Sequence, residues 1–167
     1  MPSRPAAERR SIGHRSDECP SRGVPLWKGV FGCVFLQMTE QFRELRVLVV
    51  EDELLIRWSI AETLAHAGHT VIEAEDGAMA VRALENHAES PDAIVLDYRL
   101  PDSNDLTLLT AIRRLSPTSA VVLMTAFGTP EVVKGALDLG VYQVLHKPFE
   151  MHDLESLLRE ACDSRSR

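Results

Sequence analysis

From Leu45 onward, five short apolar runs alternate with stretches of helical period. The runs are Leu45–Val50, Thr70–Ala74, Ala93–Leu96, Ala120–Met124 and Tyr142–Leu145. They are rich in Val, Ile and Leu and nearly continuous in apolarity, the pattern of strands buried on both faces. Leu54–His66 carries Leu54, Leu55, Trp58, Ala61, Leu64 and Ala65 at helical spacing, and Gly68 stops it. Gly77–His87 follows, with Met79, Ala80, Ala83 and Leu84 expected inward. Leu106–Leu115 ends before Ser116-Pro117. Thr129 is an N-cap with Pro130 at the first helical position, opening a helix to Leu139 that Gly140 closes. A last helix covers Met151–Ala161. Five βα units with short loops predict an α/β fold, a doubly wound five-stranded parallel sheet with five helices. Right-handed crossovers place helices on both of its faces.

Ahead of this pattern lies a different kind of sequence. Residues 1–25 are rich in Pro, Ser, Arg and Gly without a period, and 1–44 as a whole is expected to be a disordered N-terminal extension. Its apolar stretch, Leu26–Leu36, is too short to span a bilayer and is broken by Lys28. A signal peptide fits badly, because the basic lead is long and no small-residue cleavage pattern follows. Met38-Thr39-Glu40-Gln41 leads straight into the first strand, so Met38 is read as the true start. The other reading is an arm that touches a partner. Residues 45–162 then form one domain and 163–167 a short tail.

Charge divides the same way. Residues 1–44 hold seven Lys/Arg and five Asp/Glu, whereas 45–167 hold eleven and twenty. An acidic domain without a basic helix is a poor nucleic-acid binder, so direct contact with nucleic acid is not expected. Nor is a membrane. Cys19, Cys33 and Cys162 have no metal-knuckle spacing, and the six histidines form no Cys/His cluster. Free thiols and a cytoplasmic protein are expected.

The chemistry collects at strand ends. The first run ends in Glu51-Asp52, the third in Asp97 and the fourth in Thr125, and the fifth leads to His146-Lys147-Pro148. In an open parallel sheet these ends share the edge where ligands bind. Asp97 and a phosphoryl group are both anionic, so a carboxylate accepts a phosphoryl only if that repulsion is cancelled. A hard divalent cation on the oxygens of Glu51, Asp52 and Asp97 would do so. Lys147 and Thr125 can meet the remaining phosphoryl oxygens, a largely electrostatic task.

Residues 45–162 resemble the receiver domain of two-component response regulators. The matching motifs are Leu48-Val49-Val50-Glu51-Asp52-Glu53, Leu96-Asp97-Tyr98-Arg99-Leu100-Pro101, Met124-Thr125-Ala126 and Lys147-Pro148-Phe149. Leu55-Ile56-Arg57-Trp58-Ser59 and Leu123–Thr129 resemble the receivers of nitrogen-regulation-type activators. The resemblance implies a flavodoxin-like strand order 2-1-3-4-5 and a cis Lys147–Pro148 bond. It implies that Asp97 takes a phosphoryl group from a histidine kinase or phosphotransfer protein. Mg2+ would be held by Glu51, Asp52, Asp97 and the Arg99 backbone carbonyl, and Thr125 and Lys147 would sense the phosphoryl. Output would pass to a downstream protein target from a stand-alone module. Alternatives are a non-phosphorylated interaction module and the receiver of a split or truncated transcriptional regulator.

Two departures stand out. Val144 occupies the position, three before the lysine, where the family usually has Tyr or Phe. Tyr142, two residues earlier, is expected on the same side of the strand. The loop after Pro101 reads Asp102-Ser103-Asn104-Asp105 where the family often has two glycines, which predicts a differently shaped loop. A phosphatase using Asp97 as nucleophile would need an acid two residues on. Arg99 stands there and cannot act as a general acid at neutral pH.

Overall fold

The computed structural model describes residues 43–86, 90–103 and 105–165. The expectations for residues 1–42, including the Leu26–Leu36 stretch and Met38, lie outside the described residues. Among those described, the elements are β1 Arg46–Val50, α1 Leu54–His66, β2 Thr70–Ala74, α2 Gly77–Asn86, β3 Ala93–Asp97, α3 Thr107–Leu115, β4 Ala120–Thr125, α4 Pro130–Asp138, β5 Gln143–His146 and α5 Met151–Arg165. The five strands form one parallel sheet in the order β2-β1-β3-β4-β5.

The continuous apolarity of the strands has a direct structural reading. Alternate side chains enter two cores on opposite faces of the sheet. Val47, Val49, Val95, Val122 and Met124 pack with Ile60 and Leu64 of α1 and with Leu154, Leu158 and Ala161 of α5. Leu48, Val50, Ile94, Leu96, Val121 and Leu123 pack with Ala80 of α2, Leu109 and Ile112 of α3, and Ala136 of α4. Strands β1, β3 and β4 are thus covered on both sides. Each was legible as an unbroken run for that reason.

Helix boundaries follow local chemistry. The Thr129 side chain accepts the Val132 N–H, and Pro130 opens α4. Gly68 and Gly140 sit at positive φ, 86° and 79°, just past α1 and α4, where a Cβ would be strained. Helix α5 continues to Arg165, four residues beyond its expected end, because Cys162 still faces the core and the Ser164 hydroxyl donates to the Ala161 carbonyl. Strands β3 and β4 each run one residue further than expected, so Asp97 and Thr125 are regular strand residues.

Helix α1 spans Leu54–His66 as expected, and the structure supplies the orientation that the spacing left open. Leu54, Leu55 and Trp58 do not face the sheet; they are 64%, 70% and 57% exposed. The buried face is Arg57, Ile60, Ala61 and Leu64. The apolar residues spread around the helix, so their spacing did not single out one face. The inward face of α2 is as expected, with Ala80 buried and Met79, Ala83 and Leu84 packed against the second core.

We expect Leu64→Ala to lower unfolding free energy by ~2–5 kcal/mol, as for deletion of a buried leucine. Leu55→Ala should change it by no more than about 0.5 kcal/mol. Urea denaturation of both variants checks the orientation of α1, and equal losses would contradict it.

Candidate functional site

Strand ends build the site. Glu51 follows β1 and its N–H donates to the Ala74 carbonyl at 3.1 Å, which fixes it beside β2. Its side chain is buried, whereas Asp52 next to it is exposed. Asp97 ends β3 and Thr125 ends β4, both buried. Asp97 lies opposite Met124 in the ladder, and Thr125 opposite His146. The Lys147 N–H donates to the Thr125 carbonyl at 2.9 Å, and Lys147–Pro148 is cis, as expected.

Lys147 connects the cluster. Its Nζ donates to Glu51 Oε2 and to Asp97 Oδ2, each at 2.6 Å. The second oxygen of Asp97 accepts the Arg99 N–H at 3.1 Å, and the second oxygen of Glu51 accepts the Glu53 N–H at 3.3 Å. The Thr125 hydroxyl oxygen accepts the Phe127 N–H at 3.2 Å, which leaves its own proton to donate. No described buried side-chain N or O lacks a partner.

Burial pushes the Glu51 carboxyl up to about 7; the Lys147 hydrogen bond opposes that, and the Asp97 charge adds to it. Burial works to lower the Lys147 ammonium, but hydrogen bonds and charge from Asp97 and Glu51 hold it above the ordinary lysine value. One cation thus serves two buried carboxylates. Glu51, Asp52 and Asp97 each offer an oxygen within 4.8 Å of the others. An all-oxygen set of three carboxylates, with spare charge, suits a hard divalent ion such as magnesium.

The sequence profile of the response regulator receiver domain matches residues 47–159. The chain belongs to that family. The receiver is 39% identical over 112 residues to the transcriptional regulatory protein PdtaR of Mycobacterium tuberculosis, a match covering 65% of this chain and 52% of PdtaR. It is 34% identical over 115 residues to the DNA-binding transcriptional regulator NtrC of Escherichia coli, covering 69% of this chain and 24% of NtrC. The chain spans about half of the first and about a quarter of the second. Among solved structures, the CheY-like receiver domain protein of Methanospirillum hungatei superposes with a TM-score of 0.69 at 25% identity, over 74% of this chain and 98% of that one. The fold is therefore that of receivers in two-component signal transduction.

Several features of this receiver were not visible beforehand. The departing loop after Pro101 is tied down. The Leu100 N–H donates to the Ser103 carbonyl at 2.8 Å, and both Asp102 carboxylate oxygens accept N–H groups at the start of α2, Gly77 and Ala78, each at 2.9 Å. The Gly77 hydrogen bond, with the one from Ala78, holds Asp102 below the usual aspartate range. A carboxylate at a helix N-terminus thus stands where glycines were expected. The Arg99 guanidinium lies 5.9 Å from the centre of the Phe127 ring, and Phe127 is 74% exposed. Gly128 leaves no room for a side chain, since a Cβ there would lie 2.9 Å from the Thr125 methyl. Val144 is half-buried on the second core, while Tyr142 precedes β5 at the surface.

The raised Glu51 group has a pH consequence. Between about 4.5 and about 7 the folded protein keeps a proton that the unfolded chain has released. Stability from this group is full below that window and is lost as pH rises through it. Without divalent metal, the melting temperature should fall across the window more steeply in the parent than in Glu51→Gln. Magnesium should reduce the parent's fall, because a cation favours the carboxylate. Equal slopes in parent and variant, measured by calorimetry, would contradict this.

Proposed function

We propose that this receiver accepts a phosphoryl group on Asp97 from a phosphohistidine of a histidine kinase or phosphotransfer protein, and that it signals to a protein target by contact. The observation that supports it is the Lys147 ammonium held at 2.6 Å from both Glu51 and Asp97, at the sheet edge where three carboxylates converge. Glu51, Asp52, Asp97 and the Arg99 carbonyl would hold magnesium, which supplies positive charge between the carboxylate and the incoming phosphoryl. An Asp97 oxygen attacks phosphorus and forms the acyl phosphate bond. The phosphorus–nitrogen bond breaks, and the imidazole leaves with its electron pair and takes a proton from water. Lys147 pairs with one phosphoryl oxygen, and the Thr125 hydroxyl donates to another. The functional unit is residues 45–162.

Two side chains argue for a slow return. The positions two after Asp97 and two after Thr125 are Arg99 and Phe127, and neither orients a water as a carboxylate or amide does. The two also face each other, with the guanidinium 5.9 Å from the ring centre. Val144, already packed on the second core, gives β5 no inward-swinging ring. Rearrangement on phosphorylation is then small beyond the Thr125 loop.

With magnesium and a small acyl or amido phosphate, the full chain should gain one acid-labile phosphoryl group, and a chain beginning at Met38 should label equally. Asp97→Asn should not label. Labelling of that variant at the parent's level would remove Asp97 from the role.

The label should persist for many minutes or longer, and Phe127→Ala should shorten its life. Loss within seconds in the parent, followed by label decay, would contradict the reading of Arg99 and Phe127.

A further inference from the structure

Arg57 is a charged residue on the buried face of α1, and the chemistry above leaves it unused. It is 9% exposed. Helical side chains lean toward the helix N-terminus, which carries this one back over the loop between β1 and α1. Its Nη1 donates to the Glu51 carbonyl at 2.6 Å and approaches the Asp52 carbonyl at 3.3 Å. On its other side, Nε lies 3.4 Å from Glu73 and Nη2 4.0 Å from Glu75, both at the end of β2. The guanidinium therefore spans the acidic loop and the sheet edge.

This placement addresses a geometric difficulty of the site. Neighbouring residues on an extended chain point their side chains to opposite sides. Glu51 does point inward and Asp52 outward, yet both must offer an oxygen to one ion. The Glu51 carbonyl belongs to the peptide before Asp52, and the Asp52 carbonyl to the peptide after it. Holding both carbonyls fixes the two peptide planes around Asp52, and with them the direction of its carboxylate. The Glu53 N–H, bonded to the Glu51 side chain, restrains the second plane again. One nitrogen, Nη1, serves both carbonyls while Nε and Nη2 face Glu73 and Glu75, a spread of fixed directions that a planar guanidinium offers and a single ammonium does not.

We propose that Arg57 is a positioning residue for cation binding, which orients Asp52 toward the ion by gripping the Glu51 and Asp52 carbonyls. The inference rests on magnesium binding at Glu51, Asp52 and Asp97. A purely electrostatic role has the opposite sign, because removing a positive charge near three carboxylates tightens cation binding. A purely structural role lowers stability and leaves affinity alone.

The test is magnesium titration of the full chain by calorimetry and by melting temperature, on the parent, Arg57→Gln and Arg57→Lys. Arg57→Gln should weaken magnesium binding by about tenfold, as loss of a group that orients a ligand does. Arg57→Lys keeps the charge and should fall between Gln and the parent. Amide NMR without metal should show Asp52 and Glu53 shifted in both variants. Unchanged or tighter binding in Arg57→Gln would overturn the proposal. Should that variant not fold, affinity equal to the parent's in Arg57→Lys would overturn it. A parent that does not bind magnesium would remove the metal site itself, and this inference with it.

Discussion

The structure turns on one ammonium between two buried carboxylates. Glu51 and Asp97 come from different strands, and without Lys147 their charges would face each other in a poorly solvated pocket. Uncompensated buried charge is destabilising, so the contact from beyond β5 to β1 and β3 contributes to stability as well as to the chemistry of the site. A cation or a phosphoryl group arriving there would compete for the partners of Lys147, and the Thr125 loop is joined to Lys147 through its backbone.

Around that cluster the fold supplies rigidity. Strands β1, β3 and β4 are sealed on both faces by packed aliphatic side chains, so their ends are fixed relative to one another. The loops that carry chemistry are then tied to their neighbours. Arg57 reaches back from α1 to the acidic pair, and Asp102 holds the loop after Asp97 to the start of α2. Function in such sheets sits at the loop edge, and here side-chain hydrogen bonds tie those loops to neighbouring helices, from Arg57 of α1 in one case and from Asp102 to the start of α2 in the other.

Much of this was legible in the sequence, for identifiable reasons. A strand buried on both faces is an unbroken apolar run, so Val47–Val50, Ala93–Leu96 and Ala120–Met124 announced themselves. The polar residues at their ends were expected to share one edge, and Glu51, Asp97 and Lys147 are hydrogen-bonded together there. What stayed hidden depends on tertiary partners. Leu54, Leu55 and Trp58 read as a helix face because apolar spacing cannot say which side meets the sheet, and the buried Arg57 has no apolar signature. The role of Asp102 in the departing loop was hidden because the helix N-terminus it binds lies 25 positions earlier in the chain. The end of α5 was missed because Cys162 and Ser164 are held by local bonds and core contacts that composition does not reveal.

The central claim is that phosphoryl chemistry at this edge happens on the carboxylate of Asp97, with Lys147 as its partner. Reductive trapping tests it most directly. Borohydride converts an aspartyl phosphate to homoserine, and peptide mapping by mass spectrometry then reports which residue carried the phosphoryl group. The account predicts homoserine at position 97 in the phosphorylated protein, in Lys147→Gln only at a much reduced yield, and at no other carboxylate. Homoserine at Asp52, the corresponding reduced glutamate (5-hydroxynorvaline) at Glu73, or full homoserine yield at 97 without Lys147, would contradict it.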